Sequence, residues 1–206
     1  MLRVLGQPAS INVRKVLWTC AEIGLPIERE DWGGDTRAPT APGFLALNPN
    51  AMVPVIVDGT QVLWESNTIC RYLAAQHGRV DLLPNAAGER AKVEQWMDWQ
   101  IAELNPAWRA AFVALVRGRP VPADEVAAST AQWHRLMALL DAHLGDGRTH
   151  VCGEAFTLAD VVLGLSANRW HHTPLAGRPG LPAVAAWLAR LAQRPACRLH
   201  GLNGVA

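Results

Sequence analysis

The hydrophobic rhythm of this chain changes once, and that change limits its fold more than any other feature. Up to about residue 77, apolar runs of strand length alternate with helical stretches; beyond about residue 89, only 3.6-residue periodicity remains. Between them lies GRVDLLPNAAG, residues 78–88, where Gly, Pro and Asn cluster as in a linker. The sequence therefore predicts two domains, a mixed one over 1–77 and an all-helical one over 89–206, joined by residues 78–88.

Within the first part, Leu2 to Leu5 is a continuous apolar run closed by Gly6 and Pro8, which suits a buried strand. Val13, Val16, Leu17, Cys20 and Ile23 then recur at helical spacing until Gly24 and Pro26. Ile27 to Asp31 reads as a second strand, so the opening is a crossover unit with a parallel pair. After a polar loop and a short apolar turn, Phe44 to Leu47, the run Val53 to Val57 meets Asp58-Gly59 and returns through Gln61 to Trp64, a hairpin signal. A helix from Ser66 to about His77 follows, with Ser66 placed to cap it. In the second part, helices are expected over Glu89–Val116, Ala123–Leu144, Thr157 to about Trp170, and Leu181–Gln193. Thr157 and Asp160 have the spacing of a capping box that starts the third of these.

Charge and composition exclude several classes of partner. Nineteen Lys and Arg against eighteen Asp and Glu leave a net charge of +1, so no overall field draws the chain to nucleic acid or to an anionic membrane. Apolar stretches such as Leu158 to Leu165 are too short for a membrane span, and the first ten residues lack the pattern of a secretory signal. Cys20, Cys70, Cys152 and Cys197 are far apart and form no CxxC or zinc-like spacing, so reduced thiols, no metal and a cytoplasmic location are expected. The seven histidines all follow residue 76 and are read as surface or interface groups.

Three places could carry chemistry. Ser10 lies between the first strand and the first helix, where unpaired backbone amides favour an anion; Ser10 or Asn12 could equally just cap that helix. Pro54 stands at the start of a strand: a cis bond would turn the Val53 backbone outward to pair with an extended ligand, and a trans bond would be an ordinary edge proline. Glu65-Ser66 begins another helix, where a carboxylate could hold an ammonium while the hydroxyl and nearby amides hold a carboxylate, or the pair could again be a cap.

The order of these features, with the segments PASINVRKVLW, NPNAMVPVIVDG, VLWESNTICRYLA, WMDWQIAELNPAW, FTLADVVLG and RLAQRPA, resembles the cytosolic glutathione transferases over nearly the whole chain. The likeness is to the serine-type, theta- or beta-like bacterial members. It implies a thioredoxin-like α/β N-terminal domain, an all-α C-terminal domain, a homodimer and glutathione as co-substrate without a metal. It further implies that Ser10 hydrogen-bonds the glutathione sulfur, that Val53, before a cis Pro54, pairs with the cysteinyl backbone, and that Glu65 and Ser66 hold the γ-glutamyl end. Asn12 and Met52 complete the glutathione-binding set, with Asn12 a competing thiolate donor. Many relatives carry Lys, His or Gln just before the V-P, and this chain has Asn50-Ala51-Met52 there, which implies a modest grip on the glycine carboxylate.

The implied chemistry is thiol ionisation for attack on a small apolar electrophile. Lowering a thiol from about 8.5 by about two pKa units requires roughly 2.7 kcal/mol, a scale that one hydroxyl and a helix N-terminus supply together. Trp108 and Phe112, one turn apart, are expected to line the electrophile pocket. The resemblance leaves two alternatives: a reductase, isomerase or dehalogenase using glutathione on the same fold, or a non-catalytic binding module. Some relatives reduce mixed disulfides with a cysteine after the first strand, where this chain has Ser10, and Cys20 is expected in the core.

Overall fold

A computed structural model describes residues 1–202 and 204. Four short strands, β1 (Leu2–Leu5), β2 (Ile27–Glu30), β3 (Val55–Asp58) and β4 (Gln61–Trp64), form one sheet in the order β2-β1-β3-β4. β1 pairs with β2 in parallel and with β3 antiparallel, and β3 turns back into β4 with Asp58 opposite Gln61. The parallel pair requires a crossover, which α1 (Ile11–Ile23) supplies before Gly24, at φ 81, ends it by bonding back to the Cys20 and Ala21 carbonyls. Along the central strands successive side chains go to opposite faces. Val4 and Ile56 join the main core, while Leu5 and Val55 pack with Phe44 on the other side.

The remaining elements are helical: α2 (Pro42–Leu45), α3 (Ser66–Gln76), α4 (Ala87–Trp99), α5 (Asn105–Leu115), α6 (Ala123–Leu144), α7 (Leu158–His172) and α8 (Pro182–Leu191). α7 is buried without a break from Leu158 to Trp170, because α1, α4 and α8 all pack on it. One hydrophobic cluster therefore runs from Val4, Val13 and Ile69 through Trp18 to Leu163 and Trp187, without interruption between the strand-bearing part and the helical part. The segment 78–88 takes part in it: Leu82 and Leu83 are buried, and the Leu82 carbonyl accepts the Leu158 N–H at 3.0 Å.

Several expectations are corrected. β3 begins at Val55, two residues later than the apolar run suggested, because Val53 and Pro54 form the cis bond that precedes it. The apolar turn at Phe44 is a short helix that starts at Pro42. Ser66 is the first residue of α3 and does not cap it; Glu65 holds the cap position with left-handed backbone at φ 71. The long helix expected over Glu89–Val116 is α4 and α5 separated by a π-type turn, Gln100–Leu104. Pro106 is the physical reason: it has no N–H to give and its ring crowds the carbonyl one turn back, so the preceding turn widens. A second π-type turn, Cys197–Gly201, was not foreseen.

The Thr157–Asp160 capping box is formed. Asp160 does more than start α7: its carboxylate accepts the Thr157 N–H, the Val151 N–H and the Trp187 Nε1–H, each at 2.9 Å. Burial pushes its pKa up, and these donors oppose that shift.

Candidate functional site

The chain between β1 and α1 is shaped by Gly6. At φ 148 it adopts a conformation foreign to L residues, and a Cβ there would stand 2.4 Å from Val13 Cγ2 and 3.2 Å from Val53 Cβ. The absent side chain lets this loop lie directly against the Val53 segment. Backbone bonds then fix it to the end of β2, from Gly6 N–H to the Glu30 carbonyl at 2.8 Å and from Gln7 N–H to the Trp32 carbonyl at 3.1 Å.

Ser10 follows at the cap position of α1 with extended backbone, yet its hydroxyl makes no capping hydrogen bond. The structural role that competed for Ser10 is thus only half taken: the backbone caps, and the hydroxyl is left for something else. Ser10 lines a cavity of about 450 Å³ whose wall also includes Asn12, Met52, Val53, Trp108 and Phe112. A neighbouring hollow of about 440 Å³ shares Asn12, Met52 and Trp108 and extends toward Ile101 and Asn105. Six of the sequence-predicted site residues are therefore brought to one place.

The other three lie behind and beside that wall. Pro54 is buried at the foot of β3, cis to Val53. The Ser66 hydroxyl donates to Asn12 Oδ1 at 3.3 Å, so the starts of α1 and α3 are tied together. Glu65 is exposed beside them, and its strained backbone is the sort of outlier that clusters at functional positions. The loop before Val53 is organised by the buried Asn48, which donates to the Met52 carbonyl at 2.8 Å and accepts the Asn50 N–H at 3.0 Å. Met52 itself remains exposed.

The second wall comes from α5 and α7. Trp108 and Phe112 meet edge to face at 5.3 Å, and Trp108 Nε1 donates to Asn105 Oδ1 at 3.0 Å. Over both rings lies the buried guanidinium of Arg169, 4.4 Å from the Trp108 centroid and 4.1 Å from that of Phe112. Burial first, then the charges of Arg117 and Arg14, lower the pKa of Arg169 to about 9. Arg109, Arg117 and Arg119 also line the cavity, so its second wall carries cations as well as rings. The sequence reading missed all four arginines. Arg109 shares the helical face of Phe112 and was discoverable by spacing; Arg169, 60 residues away on α7, was not.

A buried polar chain joins the two parts beneath the cavity. Lys15 Nζ donates to Asn67 Oδ1 at 3.1 Å and to Gln100 Oε1 at 2.8 Å; Gln100 Nε2 donates to Asn105 Oδ1 at 2.7 Å and Ser166 Oγ at 3.1 Å. Burial is the main cause that lowers the Lys15 pKa to about 7; Arg169 adds to it, while Cys70 and Glu65 oppose it. The cysteines offer no rival nucleophile. Burial pushes the Cys20 thiol up to about 12 and the Cys70 thiol up to about 11. His171 and His172 are exposed next to a separate apolar hollow between α7 and α8 that holds none of the predicted site residues. Among the described residues no His, Cys, Asp and Glu cluster could hold a metal ion, and no helix is long and apolar enough to cross a membrane.

A four-stranded mixed sheet with a serine at the start of its first helix and a cis proline before its third strand, joined to a helical bundle, defines the class: a thioredoxin-like domain with an all-helical partner domain. Residues 9–76 match the family model of the glutathione S-transferase N-terminal domain, and residues 123–190 match that of the C-terminal domain. The chain belongs to the glutathione S-transferase family. It is 37% identical over 202 residues to glutathione S-transferase GstB of Escherichia coli K12, covering 96% of each chain, and 36% identical over 205 residues to glutathione S-transferase 3 of Zea mays, covering 95% of this chain and 90% of that protein. The theta class glutathione S-transferase of Xanthomonas axonopodis pv. citri, solved with glutathione bound, superposes with a TM-score of 0.92 at 37% identity, covering 100% of this chain and 99% of that one.

Proposed function

We propose that the protein is a glutathione transferase that ionises the glutathione thiol with Ser10 and delivers it to an electrophile with a flat apolar body held against Trp108 and Phe112. The supporting observation is the Ser10 hydroxyl, uncommitted to capping, at the open N-terminus of α1 and on the same cavity wall as Val53. In this reading the first-turn amides of α1 and the Ser10 hydroxyl stabilise thiolate over thiol. The Val53 backbone pairs with the cysteinyl residue. Glu65 takes the γ-glutamyl ammonium, and Ser66 with the α3 amides takes its carboxylate. Asn12, held by Ser66, and Met52 complete the glutathione wall, and Pro54 sets the direction of Val53. The reaction needs no metal. Residues 1–77 serve as the glutathione-binding domain and 89–206 as the domain that shapes the electrophile site, within a cytoplasmic homodimer.

Retention on immobilised glutathione, followed by elution with free glutathione and a conjugation assay, tests this. Elution of a protein that catalyses thioether formation is expected; a folded protein that flows through would defeat the proposal and favour a binding module of the same fold.

A further inference from the structure

The positive charge of this nearly neutral chain is unevenly placed, and the cavity beside Ser10 is one place where it collects. Arg109, Arg117, Arg119 and Arg169 line it, and among the described residues no carboxylate does. Arg109, Arg117 and Arg119 are exposed and form no ion pair among the described residues, although ten such pairs occur elsewhere there. Arg117 also reaches the loop that carries Ser10, donating to the Ala9 carbonyl at 3.4 Å, with its guanidinium 5.4 Å from the Phe112 centroid. Exposed cations such as Arg109, Arg117 and Arg119, gathered without an ion pair among the described residues, repel one another, an arrangement that an anion relieves. Arg169 lies over Trp108 and Phe112, which still line the cavity, so the aromatic wall that takes the electrophile already carries a cation.

We infer that the electrophile of this enzyme is itself an anion, a flat molecule whose carboxylate or comparable acidic group is held by Arg109, Arg117 and Arg119 while its reactive carbon is turned toward the thiolate at Ser10. This rests on the transferase reading above and narrows its substrate class. The Arg117 contact with Ala9 puts one cation on the loop beside Ser10, so that a charged group and a reactive carbon on one small ring fit the same cavity. Glutathione also carries carboxylates, and the experiment must separate the two anions.

A matched pair of aryl chlorides does so: 4-chloro-3,5-dinitrobenzoate and its methyl ester. In both, the thiol loses its proton to solvent, the sulfur attacks the chlorine-bearing carbon, a C–S bond forms, and the C–Cl bond breaks with its electron pair leaving on chloride. After division by the uncatalysed rates, kcat/KM of the wild-type protein should favour the benzoate. Converting Arg109, Arg117 and Arg119 together to Gln should lower the benzoate-to-ester ratio about tenfold or more, since each exposed cation is worth roughly two- to fivefold. Half-molar sodium chloride should erode the ratio in the unmodified protein, a second measurement that needs no variant. A ratio unchanged by substitution and salt overturns the inference. So does a loss shared equally by both arenes with a raised glutathione KM, which would give the arginines to glutathione. A wild-type protein that is retained on glutathione yet shows no preference for the benzoate overturns this inference alone; one that neither binds glutathione nor reacts overturns the transferase reading and this inference with it.

Discussion

A single hydroxyl carries most of the proposed chemistry, and its surroundings separate its two roles. Because Ser10 makes no capping hydrogen bond, Ser10→Ala should cost less than the usual cap, under about 0.5 kcal/mol by urea titration. Turnover at neutral pH should nevertheless fall about ten- to hundredfold, the effect of one charge-assisted hydrogen bond. Without that donor the bound thiol titrates higher, so raising the pH should recover part of the rate. Asn12→Ala, assayed in parallel, is expected to retain the wild-type pH profile; if it instead shifts the profile and Ser10→Ala does not, the donor is Asn12. Lys15 makes a prediction of a different kind. Its folded pKa, about 7, lies below its unfolded value, so the unfolded chain binds the extra proton between those limits and stability rises with pH across them. From pH 7 to 8.5, urea stability of the wild type should rise on the order of 1 to 2 kcal/mol more than that of Lys15→Met. The window stops there because the buried thiols have raised folded pKa values, so their ionisation in the unfolded chain opposes the trend at higher pH.

At the scale of elements, α7 is the member on which others depend. Asp160 satisfies three N–H donors from three places, the helix start, the preceding loop and Trp187 of α8, and also accepts the Thr157 hydroxyl. Asp160→Ala should therefore destabilise by roughly 3 kcal/mol, about 1 kcal/mol for each donor left unpaired, well beyond a lost cap and visible as a lowered thermal midpoint. The box itself was legible in the sequence, because a capping box is a local pattern; its link to Trp187, 27 residues away, was not. The same distinction governs the other elements. Leu2–Leu5, Gln61–Trp64 and Ala123–Leu144 have the bounds that periodicity and turn residues suggested, since short-range packing decides them. The division of Glu89–Val116 turned on one proline whose effect lies a turn upstream. Ser10 and Val53, singled out because each stands just before an element, do fall on one cavity wall, whereas the Arg169 guanidinium over Trp108 arises only when α7 meets α5.

At the scale of the whole molecule, a mass near twice 22.3 kDa is expected by sedimentation at micromolar concentration, and a species of 22.3 kDa would contradict the homodimer. The mass speaks only to assembly; the cavity is built within one chain, and its two walls have separate origins. Gly6, Ser10 and Val53 belong to the part before residue 60, and every arginine on the cavity wall lies beyond residue 100. The two walls are thus written in different stretches of the gene. On the inference drawn above, a change to Arg109 or Arg119 alters what the molecule takes in without touching the glycine that seats the Ser10 loop, so substrate preference can drift through single codon changes while the thiol machinery is inherited intact. Descendants of such a chain would diverge first in α5 and the residues after it, and last at the loop following β1.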